Sequence, residues 1–542
     1  MLIAAALWGR TEPQLLVLRR TAASLGERYL YLQEEMLRRL EVKLKELVTK
    51  SEKLLTMSSF QKYVADCPSQ VEIGGAEWKE SFPCSQGTWA LTLLTRQHRK
   101  FKYALYLKSP LQKSVQDFED WYRRWDPSWF LIARLALPEI DAAIREHRSE
   151  TDDATPLKIM GGLRDAHRAN METNHRPLGF LPNNVAFYLP RQVDLSTASV
   201  CARSDSHTLA ILDHIEYRPG TSEVDISDDV QSLARVMSNL DPVACNLLKC
   251  EGVKRNTDEA GRLRGFSLAF EMPPPRPSLS NELISSRTND DRSTMVSGHT
   301  VVAIWYYLLT SAQMEIRSLR SSLLRQTPVV SISFRLAIAK SMARAVIFLH
   351  SASFVHKNIR PETVLTTDSG SSYLVGFQKF RATASHTYML GDALWHENVY
   401  RHPTRQGVAP EDMYTMLHDV YSLGVCLLEI GLWSSFVQYA IGSNGETSIL
   451  PGLLEIAAVP KMRDERRRAF ELKRVLTDLA TSKLPGCMGD KYTSLVVSCL
   501  SCLDKTSKFI DSDAASDNLD DGTDLGARYI QGILSEIEDI SM

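Results

Sequence analysis

The side chains able to do chemistry in this 542-residue chain are few. Cys499 and Cys502 form a CxxC pair. A structural zinc site takes four ligands, and no second Cys/His pair stands nearby. The surrounding SLVVSCLSCL reads as a buried helix, so both are expected to be packing thiols and no metal is assigned. DSDAASDNLDDGTD (511–524) is acidic but lacks the alternation of a calcium loop, and MRDERRRAFELKR (462–474) is basic but interleaved with acids, as a solvated helix face is. The mechanistic question sits in FVHKNIRPETVL, residues 354–365. An amide such as that of Asn358 has no titratable site near neutral pH and cannot take a proton as a carboxylate does. The Thr363 hydroxyl is in turn a weaker metal ligand than an amide carbonyl.

Whatever these groups do, folded elements must position them. Single cores rarely grow past about 250 to 300 residues, so two or three domains are expected. Hydrophobic residues make up 44% and charged residues 24%, with a formal net charge of -2. That is the composition of a folded, soluble protein and gives no argument for a nucleic-acid partner. Nine cysteines without a secretory pattern suggest reduced thiols and a cytoplasmic location. The apolar run in MLIAAALWGR is only about seven residues, too short for a targeting segment. VVAIWYYLL (301–309) also falls short of the roughly 20 residues a membrane span needs.

Residues 27–56 place Leu37, Leu40, Leu44 and Leu47 at alternating three and four spacing, an amphipathic helix that needs a helical partner. A second helix is expected at 111–125, with Val115, Phe118, Tyr122 and Trp125 on one face, so residues 1–165 read as mostly helical. A polar, aperiodic stretch from 150 to 180 reads as a linker. Beyond it lie β-like runs at 208–217, 244–252 and 263–272, with a helix at 228–240 between the first two. SFRLAIAKSMARAVIFLH (333–350) then puts Leu336, Ala339, Met342, Val346 and Leu349 on one stripe. DVYSLGVCLLEIGLW (419–433) is apolar on nearly all faces, as suits a helix at the centre of a large domain. Residues 276–330 yield no clear element, and a last helix at 525–540 carries Ile530, Ile533, Ile537 and Ile540 as a docking stripe.

A small β-rich lobe, a proline-marked hinge and a helical lobe around one buried helix follow the order of a protein kinase. FLH (348–350), HKNIRPETVL (356–365), LVGFQKFR (374–381), YRHP (400–403) and DVYSLGVCLLE (419–429) resemble kinase landmarks in sequence and spacing. Together they are similar to a family of fungal protein-kinase-like proteins, pseudokinases whose kinase-like region often follows a HeLo-type (prion-inhibition-and-propagation) helical domain. KFKYALYLKSPLQKSVQDFEDWYRRWDPSW and the early LWGR resemble the later part of such a domain. The resemblance implies an α+β chain, an N-terminal helical bundle followed by a bilobal kinase-like domain. Its parts are a HeLo-like domain at 1–165, a linker at 166–185, an N-lobe at 186–275, a C-lobe at 276–510, and an acidic linker with a C-terminal helix at 511–542. HeLo-type domains begin with an apolar helix before the LWG-like segment, which here starts within ten residues of Met1. The expectation is therefore a domain lacking that helix, with membrane contact only if the helix exists.

Phosphoryl transfer needs a carboxylate near the nucleophile, ligands for Mg²⁺, a lysine on the phosphates and a glycine-rich lid. Aligned with HRDLKPxN, the loop keeps His356, puts Asn358 at the base, Arg360 at the lysine and Thr363 at the metal-binding asparagine. DFG aligns with GFQ, so Gly376 replaces the metal-binding aspartate and supplies no oxygen. No glycine occurs between Gly179 and Gly220, which removes the lid. TLAILDHIEY offers no lysine, only His214, Ile215 and Arg218 nearby, and the helix at 228–240 holds no glutamate. Thr404 stands where the APE motif has its glutamate.

The retained positions are architectural. Asp419 matches the kinase aspartate that accepts bonds from the catalytic-loop backbone, Phe377 is expected in the core, and His356 in a structural hydrogen bond. No catalytic set is intact and no cofactor is expected, ATP with Mg²⁺ included. The reading is a pseudokinase, a regulatory module for a protein partner or its own helical domain, with fungal non-self recognition or cell death implied by the resemblance. One alternative is an ATP-dependent serine/threonine kinase using Asp368, Asp392 or Asp213 as a substitute carboxylate, of which only Asp213 lies on a strand expected near the cleft. Another is a scaffold without a small-molecule ligand.

Overall fold

The computed structural model describes most of residues 180–273, 316–325, 330–382, 394–441, 447–504 and 529–540, and parts of 11–52, 71–78 and 113–164. The chain divides into two compact units, Met1–Asp165 with Asn518–Gln531, and Ala166–Asp517 with Gly532–Met542. In the first, helix α1 (Glu27–Glu52) buries Met36, Leu37, Leu40 and Leu44. Phe118, Trp121 and Trp125 are buried and stacked, with centroids 5.9 and 5.2 Å apart. Both indoles are satisfied: Trp121 Nε1 donates to the Met36 carbonyl (2.7 Å) and Trp125 Nε1 to Gln33 Oε1 (2.8 Å). A buried Trp needs such a partner. The expected side chains of Leu47, Val115 and Tyr122 lie outside the described residues. A two-stranded ladder, β1 (Val71–Ile73) and β2 (Ala76–Trp78), interrupts the segment read as helical.

The second unit begins with five antiparallel strands in the order β3-β4-β5-β7-β6: β3 (Phe187–Gln192), β4 (Ala198–Arg203), β5 (Leu209–Glu216), β6 (Cys250–Thr257) and β7 (Leu263–Glu271). Helix α2 (Glu223–Ser238), capped by Ser222, packs against β6 and buries Val230, Leu233 and Val236. The strand expected at 244–252 starts later. Asp241 caps a short helix α3 (Pro242–Cys245), and Asn246 at φ 54 ends it in the left-handed region that Asn tolerates. β3 carries a bulge: Tyr188 pairs with Ala202 but Arg191 with Val200, so one extra residue sits on β3.

A helical lobe follows. The previously unplaced stretch holds β8 (Ile316–Ser318) and α4 (Leu319–Leu324). Next come α5 (Ile332–Ser351), β9 (Phe354–Val355), β10 (Val364–Thr367), β11 (Ser372–Leu374), β12 (Arg381–Ala382), α6 (Trp395–Asn398) and α7 (Met416–Leu432). α7 is buried along nearly its whole length, as its all-round apolarity predicts. The long α8 (Glu465–Leu500) packs on it and kinks at Gly489, φ 79. Contact is close enough that a Cβ at Gly424 would lie 2.6 Å from the Cys499 Cβ. The tail closes on α5, where Lys340 Nζ donates to the carbonyls of Glu538 (3.2 Å) and Ile540 (3.1 Å) while Ile533, Ile537 and Ile540 are buried. Among the described residues, no helix is long and apolar enough to cross a membrane.

Candidate functional site: the interlobe cleft

The loop after β9 is held from below. Asp419, the fourth residue of α7, accepts the backbone N–H of His356 (2.7 Å) and Lys357 (2.9 Å), the Tyr414 hydroxyl (2.6 Å) and His350 Nε2–H (3.1 Å). Burial alone would raise its pKa, but the His350 bond and the other donors hold it below the usual carboxylate range. His356 is fully buried; its Nε2 donates to the Val375 carbonyl (3.0 Å), its Nδ1 accepts the Asn358 N–H (3.3 Å), and burial pushes its pKa down to about 4. Its ring lies 5.0 Å from that of Phe377, which also meets Phe270 of β7 across the lobes at 6.2 Å.

Polar side chains of the loop are engaged by the chain's own groups. Asn358 Nδ2 donates to the Gly376 carbonyl (3.2 Å). Thr363 Oγ1 accepts the Arg360 N–H and lies 2.9 Å from the carbonyls of both Asn358 and Arg360. Gly376 adopts φ 84, and a Cβ there would lie 2.2 Å from Thr363 Cγ2 and 3.1 Å from Thr197 Oγ1. Arg360 does not point into an open phosphate site: with Lys379 and Arg401 it surrounds Glu397 of α6, whose pKa falls to about 2 although burial opposes this.

From the N-lobe, Asp213 of β5 completes the closure. One oxygen, Oδ2, accepts the backbone N–H of both Gly376 and Phe377, each at 2.7 Å. The side chain has no solvent exposure, and Oδ1 has no hydrogen-bond partner. Burial pushes its pKa up to about 6 against those two donors. A carboxylate thus occupies the strand that would present a cation to phosphates. His214 sits on the other face by strand alternation, bonded to Asn256 and Ser267, and Ile215 is buried. Arg218 and Asp392 lie outside the described residues, and Asp368 is a largely exposed partner of Arg317.

The β3–β4 turn, where a glycine-rich lid would lie, is tied to the lobe below. Ser196 Oγ donates to the Glu362 carbonyl (3.0 Å), as does the Thr197 N–H (3.4 Å). Ser318 Oγ donates to the Asp194 carbonyl, and Ser321 Oγ to Asp194 Oδ2, both at 2.6 Å. Leu189 and Leu195, both at φ 50, hold left-handed backbone that costs a non-glycine residue roughly 1–2 kcal/mol. Alongside runs a buried ionic cluster: Arg320 of α4 bonds Glu362, Glu429 of α7, Ser435 and the Tyr400 hydroxyl. Removing one member of such a buried network costs about 3–5 kcal/mol.

Thr404 bonds His402 (2.9 Å) and takes no part in an ion pair. Cys499 and Cys502 are buried between α7 and α8, with Cys502 Sγ directed at the Leu417 carbonyl. Glu223, N-terminal to the helical span read from sequence, pairs with Arg255 of β6 rather than with a cleft residue. Two contributors were missed: Asp213 as the link to Gly376, and Arg320. The signal for Arg320 was Ser318, a good helix N-cap two residues before it, which could have located α4.

Residues 293–440 match the protein tyrosine and serine/threonine kinase family, so a kinase-like domain lies in this unit. No curated protein matches the chain.

Proposed function

We propose that this kinase-like chain is a pseudokinase, a regulatory or signalling module that works by its surface. The observation that carries the reading is the cleft filled by the chain's own groups. Its lid turn is bonded to the catalytic-loop backbone at Glu362, and its β5 carboxylate to Gly376 and Phe377. A nucleoside triphosphate there would meet Asp213 where a cation is needed, while Asn358 is bonded to the Gly376 carbonyl and Thr363 to the loop backbone. The partner is a protein or the chain's own helical domain, in a cytoplasmic setting. The fungal resemblance supports non-self recognition or cell death as its context.

A thermal melt with ATP and Mg²⁺ tests this. A ligand at 100 times its Kd would stabilise the fold by about 2.7 kcal/mol, so occupancy is easily seen. The expected result is no stabilisation that requires Mg²⁺ and no phosphate transfer. A metal-dependent shift with transfer that Asp213→Ala abolishes would instead favour an active kinase with an unorthodox base.

A further inference from the structure

The mouth of the closed cleft holds a cavity of about 430 Å³ that none of the bonds above fills. Its wall brings together Arg191 from the end of β3, Arg317 from β8 and Arg325 after α4. Arg317 is paired with Asp368, whereas Arg191 and Arg325 have no ion-pair partner among the described residues. The single carboxylate in the wall, Asp194, already accepts the Ser321 hydroxyl. With Arg317 balanced by Asp368 and Asp194 engaged by Ser321, Arg191 and Arg325 leave the cavity net positive, and planar guanidinium forks suit phosphate oxygens.

The backbone is arranged for this convergence. The β3 bulge lies between Tyr188 and Arg191, and a bulge re-aims the side chain that follows it. Leu195, the non-glycine residue at φ 50, lines the same cavity with Ile316 and gives it an apolar wall beside the cations. Pyrophosphate alone would leave much of this volume empty, and the apolar wall suits an attached organic group.

We infer that the cleft mouth binds a small organic di- or polyphosphate without a metal ion, held by Arg191, Arg317 and Arg325 against Leu195 and Ile316. Its place at the mouth rests on the closed-cleft reading. Mg²⁺ would compete for the anion's charge, opposite to its effect on a kinase's nucleotide.

Calorimetric titration of the full chain with inorganic pyrophosphate and with ADP, each with and without Mg²⁺, tests it. Binding of both is expected without metal, weaker when Mg²⁺ or salt is added. Arg191→Ser and Arg325→Ser, both at exposed positions, should each weaken it roughly tenfold. No pyrophosphate binding, equal heat from sulfate at matched ionic strength, or affinity unchanged in the double variant overturns the anion site while leaving the closed cleft standing. ADP binding that requires Mg²⁺ and survives loss of both arginines overturns the two readings together.

Discussion

Two carboxylates with no solvent exposure bracket the loop at 354–365, and each accepts the backbone N–H of two successive residues. Asp419, on the C-lobe side, spreads four bonds over both oxygens and is stabilised as an anion. Asp213, on the N-lobe side, takes both bonds on one oxygen and leaves the other bare, so its ionised form is penalised. Similar backbone geometry therefore produces opposite electrostatics. The C-lobe anchor stabilises the fold, whereas the N-lobe contact spends stability to keep the cleft shut.

The comparison can be broken most directly at Asp419. Asp419→Ala strands two buried amides, a tyrosine hydroxyl and His350, and should cost about 4 kcal/mol or more in urea unfolding. A loss under about 1 kcal/mol would mean that the loop is held elsewhere. Gly376→Asp comes next: it puts a side chain into Thr363 at positive φ and should cost about 3 kcal/mol. In a Thr363→Ala background that cost should fall by at least about 1 kcal/mol, a non-additivity that a double-mutant cycle reads.

The third test separates the carboxylates by pH. Asp213 has a folded pKa near 6, above its ordinary value near 4, so the folded state holds the extra proton between those values. Stability from this group falls as pH rises from about 4 to about 6 and is flat above; relative to Asp213→Asn, wild type should lose on the order of 2–3 kcal/mol across that window. Asp419 runs the other way. Its depressed pKa gives stability that is complete above about 4 and is lost as pH falls further. A difference between wild type and Asp213→Asn that does not change with pH would refute the buried, half-paired carboxylate. Smallest is Ser196→Ala, which removes one bond to the Glu362 carbonyl and should cost about 1 kcal/mol while speeding amide exchange in the turn.

What was legible in the sequence follows the range of the interactions. Leu336, Ala339, Met342, Val346 and Leu349 declare α5 by local period, and all five are buried. The alignment of 354–365 with a kinase catalytic loop rests on the order of motifs along the chain, and the family match over residues 293–440 supports a kinase-like domain there. The strand near 250 was misplaced because Ala244, Cys245, Leu247 and Leu248 are apolar without alternating, and Asn246 turns the chain before β6 begins. Asp213 gave no signal of its role, since its partners are backbone amides 163 and 164 residues away that no side-chain pattern encodes. Ser196 and Thr197 gave no signal of theirs for the same reason, their acceptor at Glu362 being equally remote in sequence.

The Thr363 methyl group sets how this protein could change over generations. It fills the space in which any side chain at 376 would have to begin. A metal-binding carboxylate accommodated at that position thus needs a second change at Thr363, and the route through Gly376→Asp alone crosses an overpacked intermediate. Drift can exchange Thr363 for a smaller residue without recreating a ligand. The junction of two adjacent loops acts as a ratchet on sequence, permitting variation around the cleft and obstructing the single step by which a carboxylate would enter at position 376.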